Sequence, residues 1–196
     1  KNEVKDLINP SVKVLRDLLS RRTWKILQEW SDWDGDGPIL YPTGPSGGTR
    51  LYYRKGKTSV LIYEQPPTAR SLFFNRDAFK TSKSNFHLAL PYIIFLIVFK
   101  DGKFNSFYVT YLKESLKDLS QKPLAPNLPN IGGNLSICMG DFFEKTSHVG
   151  KTIDQLTLAT LDHFWKAEFS HGTLMRMPDK RLETLETWES ASKENP

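Results

Sequence analysis

An eight-residue apolar run, "YIIFLIVF" at Tyr92–Phe99, constrains the fold of this chain more than any other feature of its sequence. The run shows no alternation of apolar and polar side chains, and it is rich in β-branched and aromatic residues. This pattern is typical of a strand that is buried on both faces. The wider apolar stretch, Ala89–Phe99, contains a proline and is too short to cross a bilayer. The run therefore predicts the centre of a sheet and no contact with a membrane.

Further strands are predicted on either side of this run. The segment "RLYYRKGKTSVLIYEQ" indicates a hairpin around Lys55-Gly56-Lys57, and "ARSLFFN" indicates a third strand after the break at Pro66-Pro67. The turn "KDGK" followed by "NSFYVTYL" extends the buried strand into a second hairpin over Tyr92–Leu112. The polar stretch Asn75–Phe86 is predicted to be a mobile connection.

Helices are predicted at both ends of the sheet. Asn9-Pro10 supplies an N-cap and a first-turn proline to an amphipathic segment that runs to residue 31. Thr152 and Gln155 form a capping box at the start of a second helical segment. The order of elements predicts an α+β domain without a βαβ unit. We expect one domain over 1–176, followed by a charged tail that can form a loosely held helix. Its parts are a helical region at 1–31, a sheet at 50–112, an irregular cysteine segment at 113–150, a helix at 151–176 and the tail at 177–196.

The charge distribution and the cysteine content indicate which partners and which cellular compartment to expect. The net charge of +5 comes from 27 basic and 22 acidic residues, and the basic residues are scattered along the chain. No run of Lys and Arg is interleaved with aromatic residues, which argues against a nucleic-acid-binding protein. One cysteine cannot form an internal disulfide, and no secretory signal is visible, so we expect a cytoplasmic protein.

Metal and cofactor sites find little support. Asp32-x-Asp34-x-Asp36-Gly37 copies the opening of a calcium-binding loop, but position twelve of that loop is Thr43 where a bidentate Glu is needed. The four histidines lack metal-binding spacing, and one thiol cannot build a structural zinc site. We therefore predict neither a metal nor a cofactor.

The only cysteine, Cys138, lies in the stretch "LPNIGGNLSICMG". A nucleophilic thiol must be reachable, and glycines on both sides of Cys138 favour an irregular surface segment. Asn130 precedes it by eight residues, across a turn that can bring an amide donor towards a developing oxyanion. The alternative is that Cys138 is a small buried apolar residue, since isolated cysteines are often of that kind.

The sequence "PNIGGNLSIC" resembles the active-site signature of ubiquitin-conjugating enzymes, in which a His-Pro-Asn triplet precedes the catalytic cysteine. The match includes the Asn130–Cys138 spacing, the Pro-Asn-Ile step and the closing Ile-Cys pair. Leu128 stands in place of the family's histidine, and Leu135 in place of a glycine. The paired glycines and the "CMG" ending are similar to divergent bacterial and phage relatives of the fold. The matching residues are Pro129, Asn130, Ile131, Ile137 and Cys138.

This resemblance implies a UBC-like fold and a transferase that uses a thioester. Cys138 is expected to accept a ubiquitin-like protein from an activating-enzyme-like protein and to pass it to a lysine of a protein substrate. Asn130 is expected to stabilise the oxyanion or to brace the loop, with Pro129, Ile131 and Ile137 as supporting residues. Asp141, together with Glu144 and His148, lies near enough in sequence to orient the incoming lysine. An inactive scaffold with the same fold remains the alternative, followed by a nucleic-acid-associated protein.

Overall fold

The computed structural model describes residues 47–55, 57–117, 121–124, 126–132, 135–140, 152–170 and 184–194. The predicted helical region at 1–31 and the acidic loop that contains Asp32, Asp34 and Asp36 lie outside these residues. The strands are β1 (Gly48–Lys55), β2 (Thr58–Gln65), β3 (Thr68–Phe74), β4 (Asn85–Leu90), β5 (Tyr92–Lys100), β6 (Lys103–Leu112) and β7 (Glu168–Phe169). The helices are α1 (Arg76–Phe79), α2 (Ile153–Lys166) and α3 (Leu185–Glu194).

The strands form two sheets. An antiparallel sheet has the order β1-β2-β5-β6, and a smaller sheet has the order β4-β3-β7, with β7 parallel to β3. Strand β5, which contains the apolar run, is central in the first sheet, and all of Ile93–Phe99 is buried. The structure is therefore α+β, as the sequence predicts.

The two sheets share one pairing register. The same residue register runs through the β2–β5 ladder and the β3–β4 ladder. The two ladders are separated only by Pro66-Pro67 on one side and by Pro91-Tyr92 on the other. Proline has no N–H to donate to a ladder, so it interrupts the pairing at this point. We therefore describe these four strands as one long hairpin that bends at its prolines. The pairs at the ends of its two ladders are Thr58↔Lys100, Gln65↔Ile93, Thr68↔Leu90 and Phe73↔Asn85.

The main core lies between this bent hairpin, α2 and the cysteine segment, and aromatic residues dominate it. The Phe95 ring stacks on Phe107, with centroids 5.4 Å apart, and makes edge contacts with Phe164 and Trp165 of α2. Aromatic pairs of this geometry add to the free energy that area burial provides. The face of the sheet that lines the main core is called the inner face below. A second apolar cluster lies on the outer face of the four-stranded sheet and contains Leu51, Val60, Ile62, Ile94, Leu96, Val98, Leu112 and Leu116.

A buried ion pair fixes the start of the connection from β6 to the cysteine segment. Arg50 of β1 and Glu64 of β2 lie 3.1 Å apart, and both side chains are almost fully buried. The Glu64 carboxylate accepts hydrogen bonds from the Leu116 N–H (2.7 Å) and the Ser115 hydroxyl (2.7 Å). Arg50 also donates to the Leu116 carbonyl oxygen. The two charges are thus paired, and the hydrogen bonds to Ser115 and Leu116 offset part of their desolvation cost.

The C-terminal helix α3 covers the outer edge of β4 with side chains. The Glu189 carboxylate accepts from the His87 N–H (2.8 Å), and the Ser192 hydroxyl accepts from the Ala89 N–H (2.8 Å). The Trp188 indole N–H donates to the Ala89 carbonyl oxygen (3.2 Å). Side chains thus satisfy backbone groups that would otherwise be open to pairing with another strand.

Most of the predicted elements agree with the structure. The hairpin around Gly56, the strand in "ARSLFFN", the Tyr92–Leu112 hairpin and the capping box of α2 are all confirmed. The stretch Asn75–Phe86 was predicted as a mobile connection, but it contains α1 and the start of β4. The segment 177–196, predicted as a charged tail that can form a loosely held helix, contains α3, and this helix is packed closely, since its Trp188 belongs to the main core. Within the described part of the chain, no helix has the length and apolarity that spanning a membrane requires.

Candidate active site

The segment around Cys138 forms a short hairpin. Ile131 pairs with Ile137 in antiparallel fashion, and the Gly132 N–H donates to the Ser136 carbonyl oxygen at 2.8 Å. The Leu135 N–H also donates to the Gly132 carbonyl oxygen at 2.8 Å, which links the two arms further. Leu135 has a left-handed backbone, with φ of 63°, a conformation that glycine adopts more easily. This explains why a glycine is expected where this chain has Leu135. The segment was predicted to be irregular, and here it has this local order; we call residues 130–138 the cysteine hairpin.

The cysteine hairpin extends the four-stranded sheet beyond β6. Ser136 pairs with Tyr108, the Val109 N–H donates to the Leu135 carbonyl oxygen at 3.2 Å, and the Ile137 N–H donates to the Phe107 carbonyl oxygen at 2.8 Å. Backbone bonds therefore place the segment, and its position depends little on most of its side chains.

Burial alternates along the hairpin and leaves the thiol outside. Ile137 and Met139 are each 8% exposed and belong to the main core, whereas Cys138 between them is exposed. The Cys138 N–H donates to the Asn130 carbonyl oxygen at 2.8 Å, so the backbone that carries the thiol is held. The alternative that Cys138 is a packed apolar residue does not fit this arrangement. The thiol is reachable and its backbone is fixed, as a nucleophile requires.

Asn130 is opposite Cys138, but its side-chain amide contacts another part of the chain. Its Nδ2 donates to the Glu168 carbonyl oxygen (3.1 Å), and its Oδ1 accepts from the Ser170 N–H (3.2 Å). These two bonds imitate those that a peptide group makes when a parallel strand pairs with Phe169. The backbone of Asn130 is left-handed, with φ of 60°, which asparagine tolerates better than most residues. The amide therefore links the cysteine hairpin to β7 and the smaller sheet.

The other residues of the predicted site have supporting positions. Pro129 is buried, and Ile131 is 6% exposed and packs in the main core. Leu128, where the resembling family has histidine, is 3% exposed in the same core, so an apolar residue suits this position. Asp141, with Glu144 and His148, lies outside the described residues. The backbone groups of Glu168 and Ser170 were not predicted as partners, because nothing in a local pattern indicates a contact across some forty residues.

Metal binding has no support in the described residues. Among them, no three His, Cys, Asp or Glu side chains come together in a way that would hold an ion. His87 lies on β4 beside Ser71, with its Nδ1 3.2 Å from the serine hydroxyl, and His163 lies near the end of α2. The site that the described residues offer is thus a thiol on a hairpin.

One of three comparisons with known proteins found a match. The family model described as prokaryotic E2 family D matches residues 49–191, which include both sheets except Gly48, the cysteine hairpin and most of α3. No curated protein and no solved structure matches the chain. The family match covers well over half of the sequence and includes the exposed cysteine that the local geometry singles out. The chain therefore belongs to prokaryotic E2 family D.

Proposed function

We propose that this protein carries a ubiquitin-like modifier as a thioester on Cys138 and transfers it to a lysine amine of a protein substrate. The observation that carries the proposal is the exposed thiol on a backbone-held hairpin whose neighbouring residues are buried. Membership of an E2-like family supports protein partners of this kind: a ubiquitin-like protein and an activating-enzyme-like protein.

The reaction uses sulfur in two steps. In the first, the Cys138 thiolate attacks the carbonyl carbon of the modifier's activated C-terminus, an S–C bond forms, and the activating enzyme's thiolate leaves. In the second, a neutral lysine amine attacks that carbonyl carbon, an amide bond forms, the C–S bond breaks, and the amine loses a proton to solvent. A thiolate serves as both nucleophile and leaving group, whereas serine would hold the modifier as a stable ester.

Asn130 is proposed to act here mainly as a brace. Both polar ends of its side chain contact the backbone at Glu168 and Ser170, and its own carbonyl oxygen holds the Cys138 N–H. Pro129, Ile131 and Ile137 anchor the hairpin in the core. We retain Asp141 as a candidate for orienting the lysine. These roles make the site a positioned nucleophile.

The test is a charging assay with the cognate activating enzyme, the modifier and ATP. We expect wild-type protein to gain an adduct that a thiol reductant removes, and Cys138→Ser to gain one that resists the reductant. Cys138→Ala should gain none. Ser136→Ala, two residues away on the same hairpin, is the matched control and should charge as wild type does. Equal charging of Cys138→Ala would exclude the carrier role.

One observation favours a second candidate, an inactive E2-fold scaffold. The Asn130 amide bonds to the backbone at Glu168 and Ser170, which favours a structural role for this side chain over stabilisation of an oxyanion. A scaffold would bind the modifier or the activating enzyme with equal affinity in wild-type protein and in Cys138→Ala, and would form no adduct. Binding without charging would therefore favour this candidate over the transferase.

A further inference from the structure

Arg70 of β3 faces the core at a position where the strand pattern calls for an apolar residue. Side chains alternate along β3, and Leu72 and Phe74, on the same face as Arg70, are both 0% exposed. The residue opposite Arg70 on β4 is Leu88, also 0% exposed. A charge that points to the inner face of a sheet is costly and is found mostly where it has a partner or a function.

Among the described residues, Arg70 contacts an aromatic ring but no carboxylate. Its guanidinium carbon lies 4.4 Å from the centroid of the Trp165 ring of α2, a cation–π contact. Its Nε–H is buried and has no acceptor, and none of the described carboxylates forms an ion pair with it. Burial lowers the pKa of Arg70 from its ordinary value, and the nearby Tyr63 raises it in part. The indole covers one face of the guanidinium, and the buried Nε–H of Arg70 is left without an acceptor among the described residues.

A second donor without an acceptor lies on the same face. Gln65, the last residue of β2, is 8% exposed, and its Nε2 has no hydrogen-bond partner among the described residues. It shares the inner face with Leu61, Tyr63 and its cross-strand partner Ile93. Gln65 and Arg70 thus flank the Pro66-Pro67 bend on its inner side. A buried polar atom without a partner calls for an explanation, and an absent ion is one of the common ones.

We propose that the inner side of the bend, between Gln65, Arg70 and Trp165, is a binding site for an oxyanion of the carboxylate or phosphate class. Two N–H donors without acceptors and a half-buried unpaired cation provide what such an anion needs: charge, hydrogen bonds and reduced competition from water. The guanidinium edge suits bidentate binding of two oxygens, and the amide of Gln65 supplies a further donor. The site does not include Cys138, so it stands independently of the proposed transferase activity.

The experiment measures thermal unfolding of the full chain against inorganic phosphate and, separately, succinate, with sodium chloride matching the ionic strength. A ligand that binds the folded state raises the melting temperature, by about 5 °C at a concentration about 100 times its Kd. The variants are Arg70→Met, which removes the cation but keeps a long apolar side chain, and Gln65→Met. Arg76→Met is the matched control, because Arg76 is an exposed arginine on α1 and carries the same charge.

The expected result is a rise for wild type and for Arg76→Met, with at least tenfold weaker apparent binding in Arg70→Met and a smaller loss in Gln65→Met. A rise with phosphate alone would identify a phosphate site, and a rise with succinate alone would identify a carboxylate site. No response of the wild type to either anion, or an equal response in Arg70→Met, overturns the proposal. If Arg70→Met does not fold, Gln65→Met decides: binding weakened at least threefold supports the site, and unchanged binding overturns it.

Discussion

Two edges of the bent sheet are closed in different ways. Beyond β6, the cysteine hairpin adds backbone to backbone, with bonds such as that from the Ile137 N–H to the Phe107 carbonyl oxygen (2.8 Å). Beyond β4, helix α3 satisfies the strand with the side chains of Trp188, Glu189 and Ser192. Backbone bonds tolerate most substitutions, whereas side-chain bonds depend on the residue type. We therefore expect substitutions to disturb the position of the Cys138 thiol less than they disturb the packing of α3 against β4. Asn130 is the exception, since it supports the cysteine hairpin through its side chain.

The largest effect is expected from Trp188→Ala. Trp188 is 5% exposed in the main core, and its indole also donates to β4. Loss of a buried tryptophan typically costs about 3–5 kcal/mol of the free energy of unfolding. Urea unfolding should show this loss, while Leu158→Ala, at a position 60% exposed on α2, should change stability by less than about 0.5 kcal/mol. Equal effects of the two variants would mean that α3 does not stabilise the sheet.

Asn130→Asp tests whether the side chain of Asn130 supports the cysteine hairpin. The change keeps the shape and the acceptor, but it removes the donor to Glu168 and places a carboxylate near that carbonyl oxygen. We expect a local cost of about 2 kcal/mol. Hydrogen exchange at the Cys138 N–H should then accelerate roughly 30-fold, the factor that this free energy implies. Asn105→Asp, at an exposed position of β6, is the control, and equal acceleration there would argue against the brace.

Glu189→Gln tests the charged part of the α3 contact. The His87 N–H and the Lys83 ammonium, which lies 2.6 Å from the carboxylate, hold the pKa of Glu189 below its ordinary value. Because the unfolded carboxylate titrates near about 4.3, ionised Glu189 adds stability above that pH, and this is lost as pH falls through the lower folded pKa.

We therefore expect Glu189→Gln to be less stable than wild type by about 1 kcal/mol at pH 7, with a smaller difference below about pH 4. Thermal unfolding over this pH range gives the comparison, and Glu186→Gln, in the exposed first turn of α3, is the control. A difference that stays constant with pH would show that the charge of Glu189 plays no part.

Tyr111→Phe should have the smallest effect. Tyr111 pairs with Leu124 beside the cysteine hairpin, and its buried hydroxyl has no hydrogen-bond partner in the structure. Removing it should leave stability unchanged or raise it by up to about 1 kcal/mol. Burial raises the pKa of Tyr111, so its ionisation in the unfolded chain lowers stability above about pH 10, and phenylalanine removes that loss. Urea unfolding at pH 7 and pH 10.5 checks both effects, and a large loss at pH 7 would indicate a hydrogen bond that the structure lacks.

Local patterns predicted the parts of the fold that local interactions decide. The unbroken apolar run identified β5, and Thr152 with Gln155 identified the start of α2. Strand β4 was not predicted as a separate strand, because its first two residues, Asn85 and Phe86, were assigned to the polar connection. The packing of α3 was missed because only Leu185, Trp188 and Ser192 are buried among charged neighbours.

In the candidate site too, local features were predicted and long-range contacts were not. The exposure of Cys138 follows from alternation within a hairpin, and the sequence predicts a reachable thiol. The engagement of Asn130 with β7 depends on how α2 returns to the sheet, and no spacing in the sequence encodes that path. Arg70 was not singled out either, since its inward direction becomes apparent only once the β3–β4 register is known.

The shared register of the bent hairpin also limits how this chain can change in length. Deleting one residue from a strand of either arm would turn the later side chains of that strand to the opposite face. The connection between β3 and β4 is the place where the arms turn, so insertions there leave the pairing intact. Across prokaryotic E2 family D, length variation in this half of the sheet should therefore concentrate at the α1 tip or occur as compensating changes on both arms.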